Sequence, residues 1–244
     1  MSYFWKLPYG EPEWVTIPAG EFWMGNNEEK YNDERPQHKL HIPEHKIARL
    51  PVTNAQYALY IQDTKSKPPE HWRGSEVPPG LENHPVVNVS WHDALAYCEW
   101  LGEKTQKPVT LPSEAEWEKA ARGNKDKRNY PWSNNWRELH CNSYELGLND
   151  TTPVGLFLNG ASPYGVLDMS GNIWEWTRSI SKGYPYKASD GREDLQSKDI
   201  RLLRGGSFSY HSDNVRCTCR FRNYPNDWGR NPGFRVVESQ FFHP

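Results

Sequence analysis

The sequence predicts an α+β chain: a small twisted antiparallel sheet, a few helices and much ordered loop. Three observations carry this. Three segments open with a hydroxyl side chain followed three residues later by a side chain able to reach back to the cap. Five short segments rich in β-branched and aromatic residues sit between Gly, Pro or Asn breakers. The composition of 12 Trp, 13 Tyr, 20 Pro and 18 Gly favours short elements joined by ordered loops and pinned by large rings.

In chain order, WVTI at 14–17 and EFWMG at 21–25 read as strands. Thr53 with Gln56 starts the first helix. Ser90 with Asp93 starts the second, which runs to about Thr105 and aligns Ala94, Leu95, Cys98 and Leu101 on one stripe. Ser113 with Glu116 starts the third, which stacks Trp117, Ala120 and Ala121 before Gly123 ends it. From Gly123 to Lys198 almost nothing is periodic, yet Trp and Tyr recur, so the segment reads as packed loop. Strands return at 201–206, 214–222 and 233–239.

A length of 244 residues suits one domain over 1–244 with a large core. A formal net charge of -2 offers no field to gather nucleic acid. No segment approaches the roughly 20 apolar residues a bilayer span requires, and the N-terminus lacks both a basic start and an apolar signal core. The expectation is a protein without membrane insertion, nucleic-acid partner or signal peptide, cytoplasmic or phage-encoded. Four cysteines, Cys98, Cys141, Cys217 and Cys219, are too few for a disulfide scaffold and lack zinc-ligand spacing. Cys98, on an apolar stripe, reads as core.

Several phrases taken together resemble the formylglycine-generating enzyme (sulfatase-modifying factor) family. They include WVTIPAGEFWMG at 14–25, DERPQH at 33–38, HPVVNVSWHDALAYCEWLG at 84–102, LPSEAEWEKAARG at 111–123, YGVLDMSGNIWEWT at 164–177, RGGSF at 204–208 and GFRVV at 233–237. The resemblance implies a C-type-lectin-like fold; function must be argued separately, because one fold hosts unrelated activities. The family's enzymes oxidise a substrate cysteine with two active-site cysteines, separated by four residues, that bind copper(I). Here the second would fall on Cys217 and the first on Ser212, whose hydroxyl is a poor ligand for a soft metal. If 214–222 is a strand, Cys217 and Cys219 share a face and could meet one ion, but no further ligand is fixed beside them.

Between Phe208 and Asn231 there is no Lys, Glu, Gln, Met, Ala, Leu or Ile. Replacing the adenines of an asparagine codon yields much of what is there instead, with Trp228 an exception. The region, about 204–237, is similar to the variable region of retroelement-diversified proteins, a ligand-binding branch of the same fold. That similarity implies a solvent-facing recognition surface of Ser209, Tyr210, His211, Ser212, Asp213, Asn214, Cys217, Cys219, Phe221, Asn223, Tyr224, Asp227, Trp228 and Asn231 on a framework of Val215, Arg216, Arg220 and Pro225. Aromatic rings with small polar residues suit recognition of a protein or other macromolecule. An unspecialised binding or scaffold member of the family, and a formylglycine-generating-type thiol/copper oxidase or other metal-dependent enzyme, remain the alternatives. The family's calcium loop matches DMSGNIWE at 168–175, implying Ca²⁺ held by the side chains of Asp168 and Glu175 and the carbonyls of Gly171 and Ile173; a plain turn is the other reading.

Overall fold

A computed structural model describes residues 10–28 and 30–239. Strands β1 (Trp14–Ile17), β4 (His45–Ala48), β5 (Val109–Thr110) and β10 (Val237–Glu238) form one antiparallel sheet in the order β1-β4-β10-β5. Strands β2 (Gly20–Met24) and β3 (His38–Ile42) pair as a ribbon. A third sheet runs β8-β7-β6-β9, with β6 at Trp174–Ile180, β7 at Arg201–Arg204, β8 at Arg220–Asn223 and β9 at Pro232–Gly233. Its β6·β9 pairing is parallel, so the single antiparallel sheet expected is in fact three sheets, one of them mixed. Among the described residues no helix is long and apolar enough to cross a membrane.

The three helices start where their caps place them: α1 (Asn54–Thr64), α2 (Trp91–Thr105) and α3 (Glu114–Arg122), each with both halves of the capping box formed. The hydroxyl accepts the N3 amide while the N3 side chain accepts the cap amide, so donors left over at a helix start are satisfied locally. Helix α2 ends at Gln106 in the left-handed region, and α3 ends at Gly123 with φ +81.

Helices α1 and α2 carry an aromatic core in which Tyr57 stacks on Tyr97 at 5.7 Å between centroids and Phe234 meets Tyr97 edge-on at 5.3 Å. Helix α3 is the pillar between the sheets. Every one of its nine residues is buried, charged ones included. Their charges are matched: Glu116 to Arg178 at 2.6 Å, Glu118 to Arg122 at 2.9 Å and Arg204 at 2.6 Å, and Glu114 to Arg204 at 3.0 Å and Arg220 at 2.5 Å. Lys119 donates to the carbonyls of Pro18, Gly20 and Ile42. Ions this deep persist only when paired and fully hydrogen-bonded.

The strand expected over 214–222 is corrected to its last part. Residues Ser212–Asn214 make a 3-10 turn, 215–219 bend and turn without pairing, and only Arg220–Asn223 pair with β7. Strand β6 went unforeseen because all seven of its residues are buried, and a strand covered on both faces has no polar alternation to reveal it.

Candidate recognition face and its framework

After β7 the chain reverses through Gly205 (φ +98) and Gly206 (φ +74). A side chain at Gly206 would lie 2.5 Å from Val215 Cγ1 and 2.6 Å from the Asn214 carbonyl oxygen, so only glycine permits this close return. The return drives Val215, Arg216, Cys217 and Cys219 inward, all buried. Arg216 grips Glu34 through two 2.8 Å bonds, donates to Thr218 Oγ1 at 2.7 Å and lies over the Tyr31 ring at 3.4 Å. The Cys217 amide donates to the Asn129 carbonyl at 2.7 Å, and its side chain belongs to the buried cluster of Ile47, Trp117, Ala120 and Met169. Cys219 belongs to the main aromatic core.

Cys217 and Cys219 are therefore corrected from recognition residues to framework. The reason is local: on turns, residues two apart do not share a face, and both sulfurs are pulled into separate clusters, Cys217 at 0% exposure. Burial pushes both thiols up to about 12, which withholds the thiolate that nucleophilic chemistry needs. Cys98 and Cys141 are buried too, and all four cysteines are free. Ser212, at the position of the other enzyme thiol, donates its amide to Glu145 Oε1 at 2.8 Å. A hydroxyl and one sealed thiol do not fit a copper(I) site.

Most of the other expected positions reach the surface. Phe221 is 39% exposed, Tyr224 60% and Trp228 55%; His211, Asp213, Asp227 and Ser209 are exposed and Tyr210, Ser212, Asn214, Asn223 and Asn231 half-buried. They are knit locally. Phe221 stacks on Trp174 at 5.1 Å and Tyr210 meets Trp174 edge-on at 5.3 Å. Asn231 donates to Ser209 Oγ at 2.9 Å. His211 packs against Tyr144 at 4.3 Å, and the Tyr144 amide donates to the Tyr210 carbonyl at 3.0 Å. The turn from Tyr224 to Asp227 leads to Trp228, which with Asn226, Pro68, Pro69, His92 and Asp93 borders a cleft of about 320 Å³. Asp213 stands apart, 3.5 Å from Lys30. Sequence reasoning missed Tyr144 and Trp174, which lie in other segments and come to this face only through the fold. Asn226 sits inside the stretch whose composition was the signal.

The calcium cage expected from Asp168, Gly171, Ile173 and Glu175 does not fit what these residues do. Glu175 is fully buried and committed to Arg235, whose Nε and Nη2 donate at 2.6 and 2.7 Å, and to Trp117 Nε1 at 2.7 Å. It is a counterion. Asp168 accepts the Gly155 amide at 2.6 Å, and the Gly171 carbonyl accepts the Ile173 amide at 2.9 Å. Burial raises the Asp168 carboxyl to about 6, against the pull of the Gly155 amide and Arg235. Among the described residues no group of three or more His, Cys, Asp or Glu is placed to hold a metal. What the motif builds is a turn: Gly171, at φ +72, lets the Asn142 backbone approach where a side chain would lie 2.1 Å from its carbonyl oxygen.

A model of the sulfatase-modifying factor enzyme 1-like domain matches residues 6–240. The serine/threonine-protein kinase pkn1 of Chlamydia caviae is 31% identical over 246 residues, covering 93% of this chain and 38% of that protein. The chain thus spans well under half the length of that curated relative. The structure of PvdO from Pseudomonas aeruginosa superposes with a TM-score of 0.78 at 30% identity, covering 93% of this chain and 94% of that one. Treponema denticola variable protein 1 superposes with a TM-score of 0.74 at 22% identity, over 92% and 94% of the two chains, a likeness of fold alone.

Proposed function

The chain belongs to the sulfatase-modifying factor enzyme 1-like domain family, and from that premise we propose that it is a ligand-binding member, one that presents a recognition surface instead of oxidising cysteine. One observation carries the reading: within a single short segment the thiols turn into the core while Phe221, Tyr224 and Trp228 turn out. Rigid rings bring large contact area at low entropic cost, and the Ser, Asn and Asp side chains around them supply adaptable hydrogen bonds. The exposed rings spread along the face beside the cleft at Trp228, a surface that suits a protein or other macromolecule. Within this reading the positions that diversification would rewrite are outward ones, Ser209, Tyr210, His211, Asn223, Tyr224 and Asp227, with Trp228 a fixed ring beside them, while Val215, Arg216, Cys217 and Cys219 stay constant to hold the backbone.

Two measurements test it. Incubation with copper(I), oxygen and a sulfatase-type cysteine peptide, read by mass spectrometry, is expected to leave the thiol intact; turnover to the aldehyde would overturn the reading. Protein, peptide and glycan arrays probed with the wild type and with Tyr224→Ser plus Trp228→Ser are expected to show one bound class that the double variant loses at least tenfold. Equal binding by both would remove this face from recognition.

A further inference from the structure

Strand β8 is an edge of its sheet, and successive side chains on a strand alternate between faces. Phe221 turns toward Trp174 and Tyr210. Arg220 and Arg222 turn to the opposite face, where β8, the Asn32–Arg35 segment and the Ser181–Gly183 segment enclose a cleft of about 160 Å³. The state of its cations differs. Arg220 is fully engaged, paired to Glu114 through Nε and Nη2 at 2.5 and 3.2 Å and donating to the carbonyls of Asp33 and Lys182. Lys182 Nζ rests on the Asp190 carbonyl. Arg35 and Arg222 are both exposed and line the same cleft, and their guanidinium groups donate to no described residue.

We propose that this cleft is an oxyanion-binding site, in which the guanidinium groups of Arg35 and Arg222 hold a carboxylate or phosphate group. The site goes beyond the recognition face: its cations lie on the other side of the strand, and the two share only Phe221, which borders the cleft as well as stacking on Trp174. With Arg220 neutralised by Glu114, the lining sets Arg35, Arg222 and Lys182 against one carboxylate, Asp33. This is a local positive excess on a chain whose formal net charge is -2. A guanidinium presents two parallel N–H donors that match the oxygens of a carboxylate or phosphate, and it cannot be titrated away. The cleft is smaller than the roughly 300–1,000 Å³ that encloses a drug-sized ligand, and holds one charged group at most. Glu114 matters as well: buried between Arg204 and Arg220, it fixes Arg220 as the cleft's floor, and those two cations outweigh burial to keep its carboxyl below the usual range.

The test uses the full chain and two probes, inorganic pyrophosphate and a tetraglutamate peptide, each titrated by calorimetry at low salt and again at physiological salt. The expected result is saturable one-site binding of at least one probe, weaker at higher salt, and weakened tenfold or more by Arg35→Gln plus Arg222→Gln. Arg137→Gln, at an exposed arginine outside this cleft, controls for net charge and should leave binding within about twofold of wild type, as expected for a distant screened charge. Which probe binds tells whether phosphate or carboxylate is the natural group. Absence of saturable binding to both probes, or equal weakening by the Arg137 variant, would overturn the site. Neither probe needs a ligand on the aromatic face, so a negative result removes the cleft alone and leaves the recognition face to its own test.

Discussion

Asp168 shows how far this fold moves one side chain from its ordinary chemistry. Its carboxyl is buried beside Glu175, and its folded value of about 6 lies above the unfolded one near 3.8. The folded state therefore holds this proton more tightly than the unfolded chain does. The stabilisation is complete below about pH 4 and is lost as pH rises through about 6. Asp168→Asn removes the titration, so the stability of wild type relative to the variant should fall by on the order of 2–3 kcal/mol between pH 4 and pH 7. Urea unfolding of both proteins across that range measures it, and a flat difference would refute the burial argument. At this scale sequence and structure part ways over Cys217 and Cys219. The similarity to variable regions implies surface positions, and an extended 214–222 would put both sulfurs on one face; that the chain instead folds back through Gly205 and Gly206 depends on packing against Trp117, distant in sequence, and against Val215. By contrast Val215, Arg216 and Pro225 were legible as framework, and all three are buried.

Helices were the legible elements because their signals are local. A Ser or Thr, three positions and a Gln, Asp or Glu suffice to satisfy the first amides, whatever packs above. Strands here depend on what covers them. Strand β6, buried at every position, carries no pattern, and β8 takes up only the last three residues of a stretch, 214–222, that looks extended for nine. Helix α3 combines both situations: its start is local, yet its charged residues are held by sequence-distant arginines. The two contributions separate by mutation. Ser113→Ala removes one cap acceptor and should cost about 1 kcal/mol. Glu118→Ala leaves the buried Arg122 and Arg204 without a shared carboxylate and should cost about 3–5 kcal/mol. Chemical unfolding of the two variants checks the order; a Glu118→Ala cost no larger than that of Ser113→Ala would mean that water or a neighbouring carbonyl replaces the carboxylate.

For the molecule as a whole, the question is whether the face can change without the fold. The rings that turn outward and the side chains that turn inward alternate within one short segment, yet they draw on different partners. His211, Tyr224, Asp227 and Trp228 are exposed, with His211 against Tyr144 and Glu145 and Trp228 at the mouth of the cleft by Pro68 and His92, whereas Arg216 is tied to Glu34 and Tyr31, on the far side of the sequence. Replacing the first four together by Ser or Asn should change stability by less than about 1 kcal/mol, since exposed substitutions away from special features each stay within about 0.5 kcal/mol and partly cancel. For a chain of this size that corresponds to a melting shift of about 2–4 °C or less. Arg216→Ala strands the buried Glu34 carboxylate and should cost about 3–5 kcal/mol, a shift of about 10 °C. Thermal melting of the two variants, followed by circular dichroism, decides between a separable surface and one whose rings are part of the core. If the quadruple variant melts as low as Arg216→Ala, the exposed rings are holding the 207–231 segment in place and cannot be free to vary. If it melts with wild type, the segment carries two independent duties, with the backbone route set by Gly206, Val215, Arg216 and Cys217 and the outward chemistry left open to selection by whatever the face binds.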